Sequence, residues 1–137
     1  MTAELNDLGD RHEWTLSGHR VTQMSIDLTS VRLHSWSLQA SLDIRFSAPF
    51  TLREADGASR VIDPRHPEQL APLLTLIGRH IEWLAVERTG ALRVALSDGT
   101  TLHTEPHPRY EAFDVQGGGA LEGLEYRVPP GGGAAYG

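Results

Sequence analysis

Three ionisable residues, His103, Glu105 and His107, stand at alternate positions in the segment TLHTEPHPRY. On a continuous strand their side chains would face one way, and two imidazoles with a carboxylate are ligands that zinc accepts. Pro106 and Pro108 oppose this interpretation, because proline cannot donate to a strand ladder. The spacing is therefore consistent with a metal-binding segment or, more simply, with a solvated strand end before a loop.

Aromatic and charged residues form a second group of candidates, for contact with a partner. Tyrosine and tryptophan offer large contact areas at low entropic cost, although they also dominate protein cores. His34 and Trp36 would share one face of a strand, and Tyr110 and Glu111 would lie on opposite faces of another. The candidate partner-binding residues are Tyr110, Glu111, Trp36, His34 and Trp83.

Composition restricts the classes of partner. The 137 residues carry a net charge of −6, and all twelve basic residues are arginine. An acidic chain is unsuited to a nucleic-acid backbone and suits a basic protein partner. No apolar run reaches the roughly 18 residues of a membrane span, and the acidic N-terminus does not resemble a signal peptide. The absence of cysteine favours a cytoplasmic location.

Sequence motifs of common enzyme classes are missing. The glycine clusters are not followed by a lysine and a helix, as a phosphate-binding loop requires. The chain also has no nucleophile elbow, no zinc-protease helix motif and no dinucleotide fingerprint. We therefore expect a non-enzymatic protein without a cofactor.

A repeated phrase indicates how the chain is built. LSGHRVTQMSID (residues 16–27) returns as LIGRHIEWLAVE (residues 76–87), sixty positions later. In both copies the apolar residues change face between the sixth and ninth positions, which predicts a β-bulge at the same point in each. Two strand-like segments follow each phrase, so each copy predicts a β-meander. Gln23 and Trp83 differ between the copies and are positions where binding could have diverged.

One helix is predicted between the meanders. In DPRHPEQLAPLLTLIG, Leu70, Leu73, Leu74 and Ile77 have the spacing of an amphipathic helix near residues 67–77, which should start late or kink at Pro72. Asp98-Gly99 between alternating runs predicts a type I′ hairpin. The expected fold is α+β: mainly antiparallel β, with two related meanders and one packed helix. The expected organisation is a loose segment (1–11), a single domain (12–129) and a flexible glycine-rich tail (130–137).

Short motifs spread over residues 14–133 resemble a family of small, uncharacterised actinobacterial domains. They are W-x-L-x-G at Trp14, V-T-Q-x-x-I-D at Val21, the Asp98-Gly99 turn, Y-E-A-F at Tyr110 and the closing P-G-G at Pro130. Phe113 departs from the tryptophan expected there. The resemblance carries no established activity.

The sequence thus predicts a non-catalytic bacterial binding domain that recognises a protein partner, as an immunity-type or accessory protein. The alternative is a small-molecule or metal-binding domain that uses the His103–His107 segment. Self-association into a homodimer is a third reading, because open sheet edges can pair.

Overall fold

The computed structural model describes residues 2–133, and within them the side chains of residues 4–16 and 18–133. Eleven strands occupy most of this range. They are β1 (Thr2–Asp7), β2 (Arg11–Ile26), β3 (Val31–Trp36), β4 (Ala40–Phe46), β5 (Phe50–Arg53), β6 (Ser59–Ile62), β7 (His80–Glu87), β8 (Leu92–Leu96), β9 (Thr101–Thr104), β10 (Phe113–Gly119) and β11 (Glu125–Arg127). Alternating buried and half-exposed residues, clearest in β3 and β4, explain why these segments form strands.

The predicted α+β class is wrong, because residues 2–133 contain no α-helix. The segment expected to be helical forms two 3₁₀ segments, Pro67–Gln69 and Ala71–Leu76. Each has a proline in its first turn, where the missing amide costs nothing, but Pro72 cannot lie inside an α-helix without losing a hydrogen bond. The protein is therefore an antiparallel β-fold.

The apolar stripe of this segment also differs from the prediction. Leu70, Leu73 and Leu76 are buried, whereas Leu74 and Ile77 are 53% and 46% exposed. A 3₁₀ helix has three residues per turn, so side chains three apart lie above one another. The buried side chains therefore repeat every three residues. The stripe predicted from a period of 3.6 was correct only at Leu70 and Leu73.

The strand order is symmetric about the pair β2–β7. It runs β11-β10-β4-β3-β2-β7-β8-β9-β5-β6, with β1 also beside β2, and every pair is antiparallel. The meander β2–β3–β4 lies on one side of the axis and β7–β8–β9 on the other. The strands that follow each meander cross to the opposite half, since β5 pairs with β9 and β10 pairs with β4.

The repeated phrase corresponds to this symmetry. Pairing of β2 with β3 shifts between Val21 and Gln23, and pairing of β7 with β8 shifts between Ile81 and Trp83. The two irregularities are sixty residues apart, as the phrases are. The predicted bulges are confirmed, and they turn the apolar residues on both sides of each bulge towards the core.

The two halves cover one core. The short linker from Phe46 to Phe50 carries the chain from β4 to β5, and the rings of these residues stack at 4.1 Å. The second linker, residues 105–112, carries it from β9 to β10. The linkers touch where Ser47 N donates to Ala112 O at 3.0 Å. Buried side chains of both halves belong to a single hydrophobic cluster.

The turn at Asp98-Gly99 joins β8 to β9 as expected, but it is not type I′. A type I′ turn needs positive φ at both central residues. Gly99 has φ of 93°, but Asp98 has negative φ, because every residue with positive φ in the described part of the chain is a glycine. Leu96 N donates to Thr100 O and Gly99 N donates to Leu96 O. The loop therefore has three residues, with only the last in the left-handed conformation.

The chain ends also differ from the expected organisation. Residues 2–7, predicted to be loose, form β1, which pairs with β2 from Thr2 opposite Ser17 to Asp7 opposite His12. Residues 130–133 of the predicted flexible tail are hydrogen-bonded: Gly131 N donates to His107 O and Gly133 N to Thr89 O. The rest of that tail, residues 134–137, lies outside the described residues.

Candidate functional site

Two outward faces of the sheet occupy equivalent places in the symmetric strand order. Their neighbours along each strand are core residues, so these side chains point away from the core. Face B lies on β2, β3, β4 and β10, and its two cross-strand rows are Ser25–Arg32–Arg45–Asp114 and Gln23–His34–Asp43–Gln116. Face A lies on β7, β8, β9 and β5, and its rows are Ala85–Arg93–His103–Thr51 and Trp83–Ala95–Thr101–Arg53.

Face A is open because its central positions carry small side chains. Ala85, Ala95 and Thr101 stand where face B has serine, histidine and aspartate. Above them lie three adjoining cavities, which share Trp83, Arg93 or His103 in their walls and have volumes of about 390, 330 and 360 Å³. We call this continuous depression the face A groove.

The charged groups of the face A groove are unevenly paired. Arg53 and Arg93 are exposed, and within the described side chains no carboxylate forms an ion pair with either guanidinium. Glu13 and Glu87 border the groove at one end and Glu54 at the other. The groove can therefore offer two arginines to a ligand without first breaking an ion pair.

Trp83 provides the aromatic surface of the groove. It is half-buried and lines two of the three cavities. The bulge between Ile81 and Trp83 places its side chain on the outer face, while Ile81 and Leu84 remain buried. An indole beside unpaired guanidiniums is a combination common at recognition surfaces.

Face B is closed by its own hydrogen bonds. His34 Nε2 lies 2.7 Å from Ser25 Oγ, and its Nδ1 contacts the Asp43 carboxylate. This order of groups occurs in serine hydrolases, where backbone amides must also stabilise an oxyanion. Here the three residues lie on adjacent paired strands, and the cavities of face A include none of them. These contacts link the outer faces of the three neighbouring strands β2, β3 and β4.

The row of face B that contains Arg45 and Asp114 borders an ion-pair cluster. Arg45 contacts the buried carboxylate of Asp114 and donates to Glu111 Oε1 at 3.1 Å. Arg127 Nε lies 3.8 Å from the same Glu111 oxygen. Glu111, a predicted partner-binding residue, is therefore engaged within the chain.

Tyr110, another predicted partner-binding residue, lies in a stack. The guanidinium of Arg65 is 3.6 Å from its ring centroid, and the His107 ring is 4.6 Å away at 24°. Arg65 also donates from Nη1 to Ser47 O at 2.6 Å, which connects the stack to the other linker. Among the predicted partner-binding residues, His34 belongs to the face B network, Trp36 is 60% exposed at the end of β3, and Trp83 lines the face A groove.

The three predicted metal ligands line one cavity of about 310 Å³, but they do not group as a metal site within the described residues. His103 Nε2 is 2.9 Å from Glu105 Oε1, at an angle outside that of a hydrogen bond, and His107 instead stacks on Tyr110 while its Nδ1 accepts from Arg109 N. Within residues 2–133 no three histidine, aspartate or glutamate side chains group as a metal site. His103 alone contributes to the face A groove.

Two buried polar groups lie near the β2–β7 axis. His19 is 1% exposed, and burial lowers the pKa of its imidazole. Tyr126 Oη accepts from Trp14 Nε1 at 2.8 Å and lies 2.7 Å from His12 Nδ1, joining β11 to β2. Burial raises the pKa of the Tyr126 hydroxyl.

Sequence reasoning missed Arg53, Arg93, Ser25 and Asp43. The alternation of β4, β5 and β8 marks them as outward residues, but it does not say which strands become neighbours. Arg53 reaches the face A groove only because β5 crosses to pair with β9. That crossing depends on the linkers and the shared core rather than on any local pattern.

Fold and faces together define a pseudo-twofold antiparallel β-protein with one open and one closed outer surface. The chain belongs to a family of unknown function, DUF6188, whose sequence profile matches residues 12–133. Searches of curated proteins and of solved structures gave no match. Within residues 2–133 there is no helix with the length and apolar character needed to span a membrane.

Proposed function

We propose that this protein is a non-catalytic binding domain that recognises a protein partner through the face A groove. The observation that carries this proposal is the unpaired state of Arg53 and Arg93 beside the half-buried Trp83. Tryptophan and arginine are the side chains most often found at the energetic centre of protein interfaces. The small residues beneath them leave room for the side chains of a partner.

The biological setting is part of the same proposal. We place the protein in the cytoplasm of a bacterium, of actinobacterial type, as an immunity-type or accessory protein. The lack of cysteine supports a reducing compartment, and a net charge of −6 supports solubility.

The symmetry of the strand order supplies a matched control for a binding experiment. Arg93 on β8 and Arg32 on β3 hold equivalent row positions, so Arg93→Ala and Arg32→Ala remove the same side chain from the two faces. The tagged full chain, each variant and Trp83→Ala would be used to capture proteins from a bacterial lysate. Captured proteins would be identified by mass spectrometry.

We expect a protein captured by the wild type and by Arg32→Ala to be lost with Trp83→Ala and with Arg93→Ala. Capture that survives both face A substitutions but fails with Arg32→Ala would contradict the assignment of the face. No specific capture by the folded wild type in a lysate of its source organism would contradict a protein partner.

A small-molecule-binding domain is the second candidate. The cavity of about 330 Å³ between Trp83 and His103 has the volume of a small-ligand site. A screen of carboxylate and phosphate metabolites by thermal shift would test it. Stabilisation of the wild type that disappears in His103→Ala would favour this candidate over the protein partner.

A further inference from the structure

Five residues of the face A groove form a cluster of hydrogen-bond donors whose two arginines have no carboxylate partner among the described side chains, although His103 lies beside Glu105. Cross-strand pairing places Arg53 opposite Thr101, Arg93 opposite His103, and His103 opposite Thr51. These residues line one cavity of about 360 Å³. We call the five residues the arginine cleft. Arg53 and Arg93 come from β5 and β8, the two strands that flank β9, and β9 itself contributes Thr101 and His103.

On face B, carboxylates of the chain itself occupy two positions equivalent to those of the arginine cleft. Asp43 lies between His34 and Gln116 in the row where face A has Thr101 between Ala95 and Arg53. The carboxylate of Asp43 there contacts His34.

The row that contains Arg45 and Asp114 shows the same difference between the two faces. Asp114 of face B, paired with Arg45, holds the position that Thr51 holds beside His103 in face A. Face B therefore supplies two carboxylates at the two positions where face A has threonines. Face A also has Arg53 where face B has Gln116. Its Arg93 matches Arg32 of face B, which likewise forms no ion pair among the described side chains.

We infer that the arginine cleft binds a carboxylate side chain of the partner, supplied by an acidic segment of a protein at the place where face B has its own Asp43 and Asp114. This inference rests on the proposed function and adds the chemistry of the partner. Arginine binds carboxylates through two parallel hydrogen bonds, which gives both strength and orientation. Trp83, at the end of the Arg53 row, would contact the apolar part of the same segment.

The charge around the cleft favours a single carboxylate over a phosphate dianion. Glu13, Glu54 and Glu87 border the groove, and the chain as a whole carries −6. A phosphate dianion would concentrate two negative charges within the cleft, whereas an acidic segment places one carboxylate there and spreads its other charges along the peptide, so it is repelled less at the cleft itself. The overall charge predicted a basic partner, whereas the unpaired groups of the groove favour an acidic segment.

The test is a titration followed by nuclear magnetic resonance on the full chain, with an octaglutamate peptide as the probe. We expect amide shifts in β5, β8 and β9, and weaker binding as ionic strength rises. The double variant Arg53→Ala/Arg93→Ala should bind roughly tenfold more weakly or worse, whereas Arg32→Ala should match the wild type.

Thr101→Asp is the sharper variant, because it gives face A the carboxylate that Asp43 provides in face B. It should abolish octaglutamate binding while the protein remains folded, as judged by its amide spectrum. Thr101→Asn, which adds similar volume without charge, should retain binding.

Three results would overturn the inference. These are shifts confined to β3 and β4, equal binding by the double variant, and no shifts at about 5 mM peptide, an affinity too weak for recognition. Tighter binding of inorganic phosphate or of an octalysine peptide at the same amides would also overturn it. If protein capture depends on Trp83 while octaglutamate does not bind, the proposed function stands and the carboxylate assignment fails.

Discussion

Faces A and B hold equivalent places in one strand order but pair their polar groups to different extents. On face B, His34, Asp43, Arg45 and Asp114 find partners within the chain. On face A, alanine and threonine occupy most of the same row positions, and two arginines have no acidic partner among the described side chains. The same backbone can therefore support a surface that stabilises the fold or a surface that binds a partner, depending on whether cross-strand partners are present.

The largest difference in stability should come from one equivalent pair of positions. Arg45→Ala leaves the buried Asp114 carboxylate without its cation and should lower the free energy of unfolding by about 2–3 kcal/mol, the cost of an unpaired charge discounted for partial exposure of Arg45. His103→Ala, at the matching place on face A, should cost roughly 1 kcal/mol or less. Urea unfolding of both variants measures this. Equal costs would show that the faces do not differ as described.

Moving the face B network onto face A should close the groove. Ala85→Ser, Ala95→His and Thr101→Asp together reproduce Ser25, His34 and Asp43 at their matching positions. We expect the triple variant to remain folded and to lose octaglutamate binding completely, as Thr101→Asp alone does.

The mirror variant, Ser25→Ala with His34→Ala and Asp43→Thr, is the control for that transfer. It should keep binding at the wild-type level, measured by the same titration. Loss of binding in the mirror variant would place the recognition surface on face B.

The axis between the faces should make the fold sensitive to acid. Burial lowers the pKa of His19, so below its unfolded pKa of about 6.5 the unfolded chain takes up a proton that the folded chain does not. Stability from this group is complete above about pH 6.5 and falls by up to about 1.4 kcal/mol per pH unit as acid is added, until the folded pKa is reached.

This contribution is measured as the free energy of chemical unfolding of the wild type and of His19→Leu between about pH 7.5 and about pH 5. That range lies on both sides of the reference pKa of histidine. The variant should show a shallower slope, whatever its stability at neutral pH. His80→Leu, at an exposed position one strand away, should keep the wild-type slope. A slope unchanged by His19→Leu would contradict the burial of an uncharged imidazole.

The smallest effect concerns the face B network itself. Asp43→Ala removes the acceptor of His34 on a half-exposed face and should cost about 1 kcal/mol, the usual value of one such hydrogen bond. Arg93→Ala should change stability by less than about 0.5 kcal/mol, as expected for an exposed side chain without a partner. Thermal unfolding would detect the first and not the second.

Several elements could be predicted from sequence because their causes are local. The strand predicted to carry His34 and Trp36 is β3, and the repeated change of phase predicted both bulges. The helix prediction failed because the leucine spacing of residues 70–77 satisfies three-residue and 3.6-residue periods alike. Only the packing of Leu76, with Leu74 turned outward, distinguishes the two periods.

The candidate site could be predicted only in part. Trp83 was selected because it differs from Gln23 in the repeat, and it lines the groove. Tyr110 and Glu111 were selected as exposed surface, but Arg65, Arg45 and Arg127 contact them from other segments. Such contacts join residues far apart in the chain, so no local pattern reports them.

The sequence by itself determined the strands, the bulges and the repeat, because each follows from the order of apolar and polar side chains along a few residues. Only the tertiary structure decided which half each late strand joins, and therefore which outward residues meet. β5 pairs with β9, and this brings Arg53 beside Thr101 on face A. β10 pairs with β4, and this brings Asp114 beside Arg45 on face B. The physical reason is that both exchanged strands bury their apolar sides in one shared core, whereas the polar sides they expose do not influence that choice.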